Sequence, residues 1–175
     1  MFSQKLIKFF FLIPLSIFGC VYFNTFYNAE TSYNKALKII EESPILEEDK
    51  FPEQAKKLLR DAIDNSKMVI QKFPDSKYVD DAIFIIAKSS FLRNEVAIAE
   101  SYFIQLIREY PESKFYNLSE IWLAYTHLRM DMVHIARDEI NVINHRQSHN
   151  EEELYLIYNI LAEIAVIDGN LNDIL

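Results

Sequence analysis

Phe73-Pro74-Asp75-Ser76-Lys77-Tyr78 returns as Tyr110-Pro111-Glu112-Ser113-Lys114-Phe115, matched in chemistry at every position and displaced by 37 residues. A period of this size marks an architecture of stacked supersecondary units. The alanines keep the same interval. Ala62, Ala99 and Ala136 stand 37 apart, as do Ala87 and Ala124, and Ala162 follows 38 later. A small residue at a fixed place in each repeat lets two helices cross closely, where a bulky side chain would hold the backbones apart.

Working outward from the first hexamer, Val79, Ala82, Ile83, Ile86, Ala87 and Ser90 recur at the three-and-four spacing of an amphipathic helix over 78–91. Arg93-Asn94-Glu95 reads as a polar turn. Ala99, Phe103, Leu106 and Tyr110 then share one face of a second helix over 96–110, and Pro111 stops it because proline lacks the amide proton. Ser76 and Ser113 are placed to cap the helices that follow them. The next repeat runs from 114 to about 145 and turns near 129–131. A further first helix spans roughly 151–167, with Asp168-Gly169-Asn170 as its turn. Toward the N-terminus, 28–42 predicts a helix with Tyr33, Ala36, Leu37 and Ile40 on one face. A second follows over 52–73, and an acidic loop, 43–50, separates the two. The expectation is an all-α chain with one repeat domain over 28–175, of about three and a half helix pairs, the last incomplete. One pair cannot bury its own apolar face, so stacking supplies the cover.

Composition removes several classes of function. The chain has 175 residues, 26 acidic against 18 basic, a net charge of −8, only two glycines (Gly19 and Gly169) and one cysteine. Phosphate-cradling loops need several glycines close together, and a disulfide framework or Cys-rich zinc site needs more than one cysteine. Nucleic-acid binding calls for clustered Lys and Arg, so no nucleic-acid partner is expected.

The N-terminus places Lys5 and Lys8 before an uncharged run from Phe9 to Phe18, the layout of a secretory signal peptide. The run is short for a spanning helix, and Pro14 interrupts it. Ile17-Phe18-Gly19-Cys20 resembles the lipobox of bacterial lipoproteins. That resemblance implies a signal peptide over 1–19, lipidation of Cys20 and a tether over 20–27, with a buried structural cysteine as the alternative. Val21, where aspartate would favour inner-membrane retention, points by the same resemblance to the periplasmic face of the outer membrane. Without Lys5 and Lys8 the chain carries 16 basic and 26 acidic residues, a net charge of −10. Such a surface would not hold itself to anionic lipid, so the acyl chains would provide the attachment.

The alanine, aromatic and proline spacings over 28–175 resemble tetratricopeptide repeats, in a unit a few residues longer than the common 34-residue form. A narrower resemblance joins the lipobox cysteine, the run Tyr22-Phe23-Asn24-Thr25-Phe26-Tyr27-Asn28-Ala29 and repeats linked by Phe-Pro-Asp-Ser-Lys-Tyr. Together these are similar to outer-membrane assembly lipoproteins of the BamD (YfiO) type. The first resemblance implies an α-solenoid of antiparallel helix pairs whose first helices line a concave groove. Asp81, Phe84, Lys88 and Phe91 would face that groove from one repeat, and Leu118, Ile121, Tyr125 and Leu128 from the next. The second implies an adaptor with no catalytic step, whose partner is the β-barrel assembly machinery or its clients. The alternatives are a general envelope scaffold on cell-wall or division machinery, or a groove filled by the chain's own N-terminal segment.

Other candidate chemistry is weaker. His127, His134, His145 and His149 could suggest a metal, yet His145 and His149 straddle a turn, and solvated turn histidines are expected. No cofactor is expected beyond the lipid on Cys20. The acidic runs Glu41-Glu42, Glu47-Glu48-Asp49, Asp80-Asp81 and Glu151-Glu152-Glu153 are the material of the competing class, an enzyme. Consecutive acids on a helix point in different directions, and those in first turns suit the helix dipole. The aromatics Tyr22, Phe23, Phe26 and Tyr27 either pack the first helix or sit at the membrane interface.

Overall fold

The computed structural model describes residues 24–43, 51–146 and 148–169. The expected signal peptide, Cys20 and its neighbours, residues 44–50 of the acidic loop and the segment after 169 lie outside these residues. Seven helices and no strand occur among the described residues: α1 over 24–41, α2 Glu53–Lys72, α3 Val79–Leu92, α4 Val96–Glu109, α5 Tyr116–Arg129, α6 Val133–Asn144 and α7 Glu151–Ile167. The chain is all-α, and the expected helices are present. α1 is helical from the first described residue, 24, four residues ahead of the helix expected from 28. No helix among the described residues is long and apolar enough to cross a membrane.

The 37-residue period is written into the backbone as well as the sequence. Phe73 and Tyr110, which end α2 and α4, have nearly the same dihedrals (φ −136°, ψ 56° and φ −131°, ψ 60°), and each amide donates to the carbonyl four residues back. Ser113 is not the N-cap of α5, a place taken by Phe115, and Ser76 stands equally far ahead of α3. Their hydroxyls accept from the amides of Tyr78 and Phe115, inside the turn that leads into the next helix, because that turn holds two residues between serine and helix.

The turns between first and second helices repeat too. Among the described residues Asn94 and Asp131 are the non-glycine residues with positive φ (61° and 62°), and they stand one period apart. In both turns the next amide donates to the carbonyl five residues back, Glu95 to Ser90 and Met132 to His127, at 2.8 and 2.9 Å. This is the Schellman closure of a helix end, which favours a left-handed residue. Gly169 (φ 73°) takes the same place after α7. Asparagine and aspartate tolerate this conformation better than most side chains, but glycine is free of the Cβ penalty. Asp131→Gly removes a left-handed penalty of roughly 1–2 kcal/mol against a glycine entropy cost of roughly 0.5–1 kcal/mol, so a net gain of about 0.5–1 kcal/mol is expected, measured as the urea midpoint at unchanged m-value. A fall in the midpoint would mean that the Asp131 side chain contributes to the turn.

By its internal contacts the chain divides between Ile85 and Ile86, within α3, into two compact units. In the first, Phe26 of α1 joins Ala62 and Val69 of α2 and Ala82 and Ile85 of α3, with Tyr33, Ile70 and Tyr78 packed around them. Phe26 stacks on Tyr78 at 4.4 Å, so it packs the first helix, while Tyr27 is 52% exposed. In the second unit, α5 packs against α4, α6 and α7, and α6 packs against α7. Phe103, Leu106, Ile121, Ile140, Ile157 and Ile160 fill its core, and Ala99, Ala124 and Ala136 are fully buried. Each large side chain removed from water contributes about 1.5–3 kcal/mol. The alanines contribute the close approach.

Candidate functional site

The sequence places eight residues on a groove, and the structure divides them. In the first unit Asp81 is half-buried and Phe84 is buried. In the second, Ile121 and Leu128 belong to the core and Leu118 is half-buried, so these residues do not form an open apolar surface. The reason lies in the packing of α5, which has neighbours on three sides. A helix covered this way is apolar nearly all round, and the face left over after one partner is satisfied goes to the next.

Lys88, Phe91 and Tyr125 do come together, and Trp122, which the sequence does not single out, joins them. Phe91 meets Trp122 edge-on at 5.0 Å and Tyr125 at 5.0 Å, and the rings of Trp122 and Tyr125 lie 5.6 Å apart. The three rings, from α3 and α5, form an aromatic box. Lys88 sends its ammonium over the face of Trp122, with the Phe91 ring 5.7 Å away. An ammonium over an indole face gains cation–π energy of up to about 2 kcal/mol when desolvated. No hydrogen bond or ion pair reaches Lys88 among the described residues, and only 9% of the residue is exposed.

Electrostatics make the position costly. Burial holds the Lys88 amine well below its ordinary pKa, and the Glu152 carboxylate in the first turn of α7 only partly opposes it. Tyr125 is pushed upward, first by burial and then by the Glu163 carboxylate of α7, to which its phenol donates. The box thus draws on α3, α5 and α7. It offers a cation, three ring faces and two carboxylates. That arrangement can hold a side chain or chain end.

A second polar cluster, missed in the sequence, ties α5 to its other neighbours. His127 is 8% exposed, with Nδ1 2.7 Å from Glu139 Oε2 on α6 and Nε2 3.3 Å from Glu100 Oε1 on α4. The bond from Glu139 raises its pKa most and Glu100 adds to this, while burial works against both. His149 is half-buried with its side chain turned inward, bridging the Ile143 carbonyl and Glu153, whose carboxylate also closes the Asn150 capping box of α7. These two are therefore not solvated turn histidines; His134 and His145 are exposed. One signal was available for His127. It stands one period after Ser90, on the packing face of the preceding first helix. Among the described residues no group of His, Cys, Asp and Glu could hold a metal ion.

No protein-family model matches the chain, and no curated protein matches it either.

Proposed function

We propose that this chain is a lipid-anchored periplasmic adaptor, attached to the outer membrane through Cys20, that binds other proteins through a short tetratricopeptide-like solenoid and catalyses nothing itself. Its partner in this reading is the β-barrel assembly machinery or its clients. The repeated Schellman turns, the recurring dihedrals at Phe73 and Tyr110, and the packing of α5 on α4, α6 and α7 support antiparallel helix pairs stacked in series.

One observation carries the binding role. A lysine is kept nine-tenths buried in an aromatic box with no anion bonded to it among the described residues. A buried ammonium that is not ion-paired lowers stability, and positions that give up stability are where function resides. A partner carboxylate delivered to Lys88, with apolar groups on Phe91, Trp122 and Tyr125, would complete its coordination.

The test is affinity capture of the full-length chain from native membranes, with the bound proteins identified. Recovery of the β-barrel insertase supports the assembly role. Recovery of cell-wall or division proteins in its place would move the adaptor to a general envelope scaffold, and a soluble chain with an unmodified Cys20 would remove the anchor.

A further inference from the structure

A cleft of about 370 Å³ opens between α4 and α6 over α5, lined by Ile107, Leu123, Val142 and Ile143 together with Glu120, Asp138, Glu139 and Arg146. This is at the small end of the volumes that hold ligands. Ile143 is buried at its base, whereas Val142 is 66% exposed at its edge. The apolar surface continues along both helices by register. Ile104, one turn before Ile107, is 41% exposed, and Ile135, two turns before Val142, is 48% exposed. Apolar side chains grouped in this way around a concavity mark an interaction surface.

The charges around the cleft select its occupant. Three carboxylates stand against one guanidinium, and that guanidinium is already committed: Arg146 grips both oxygens of Glu120. Glu139 gives one oxygen to His127 and keeps the other. Asp138 is exposed and has no hydrogen bond or ion pair among the described residues. What remains is an apolar slot with uncompensated negative charge on the α6 side. We propose that this cleft docks an extended segment of a partner protein in which an apolar side chain is flanked by lysine or arginine. The apolar group enters between Ile107, Leu123 and Val142, and the cation pairs with Asp138 and the free oxygen of Glu139. This surface is formed by α4, α6 and the Glu120 and Leu123 positions of α5, and none of its lining residues belongs to the aromatic box. The occupant is also of opposite charge to the one Lys88 would take, so either site can fail without the other.

Glu139 belongs to both the cleft and the histidine clamp, which makes docking sensitive to pH. A protonated His127 draws on the Glu139 charge, with Glu100 on its other side; Asp138, Glu120 and Arg146 complete the charged groups around the cleft. Binding of a basic segment therefore strengthens as His127 loses its proton.

The experiment uses the full-length chain with labelled Ile, Leu and Val methyl groups, titrated with a short blocked peptide carrying leucines between lysines. The expected result is movement of the Ile107, Leu123, Val142 and Ile143 methyl signals. Binding should weaken about tenfold in Asp138→Lys and about tenfold when glutamates replace the peptide lysines. Asp138 is exposed, so the variant keeps the fold, which its unchanged core methyl spectrum will report. Equal binding of the glutamate peptide, or no movement of these methyls, would overturn the proposal. So would concentration-dependent shifts of the same signals without peptide, which would put a second copy of the chain in the cleft.

Discussion

Lys88→Met will leave the protein more stable at neutral pH by about 1–2 kcal/mol and unable to hold its partner. The thioether keeps the unbranched stem against Phe91 and Trp122 while removing an amine that burial already pushes well below its ordinary pKa. Exchanging an unsatisfied buried charge for an apolar group of similar shape is stabilising in general, and the lost contact with the indole offsets part of the gain. The pH dependence has a definite sign. A lysine whose folded pKa lies below its unfolded value penalises the native state below the folded pKa. The penalty is relieved as pH rises from there toward about 10.4, the value in an unfolded chain. Wild-type stability therefore carries a rising component on the alkaline side, and Lys88→Met removes it. Urea midpoints across that range measure this directly. A variant less stable than wild type would make Lys88 a structural residue and take away the main support for the binding site.

His127→Ala is expected to destabilise by about 2–4 kcal/mol. It deletes a ring that bonds to α4 and α6 at once and leaves Glu100 and Glu139 facing a cavity without their shared cation. The two carboxylates are about one-third exposed and can rehydrate, which keeps the loss below that of a fully sealed network. Here the linkage runs in the opposite direction to that of Lys88. The folded pKa of His127 is raised, so the stability it contributes is fully present below about 6.5 and is lost as pH rises through the folded value. His127→Ala should flatten this fall from near neutrality upward. A variant as stable as wild type, with the same pH profile, would show that the clamp contributes nothing.

What the sequence made legible follows from what is local and periodic. The hexamer ends one helix and starts another through hydrogen bonds within a few residues, so its recurrence located α2 through α5. Asn94, Asp131 and Gly169 mark turns whose geometry depends on a single left-handed residue. The site was legible only in part. The resemblance to tetratricopeptide repeats puts Lys88, Phe91 and Tyr125 on one surface, but Ile121 and Leu128, put there by the same resemblance, are core. The difference is set by α7, which packs against α5 and cannot be read from the α5 pattern. Trp122 and Glu163 enter the box, and Glu100 and Glu139 close on His127, through contacts between residues 12 to 38 positions apart. Such contacts depend on which helix lies beside which. The 37-residue period does identify the position of His127 as one that packs, and that is as far as the sequence goes.

The central claim is that the α3–α5–α7 surface is where a partner protein sits. The most direct measurement is photo-crosslinking in native membranes with a photoreactive residue at 125 in the full-length chain, compared with one at the exposed turn position 112. The account predicts a discrete crosslinked protein from 125, absent from 112 and lost when Lys88→Met is introduced. No adduct from 125, or the same adduct from both positions regardless of Lys88, would contradict it.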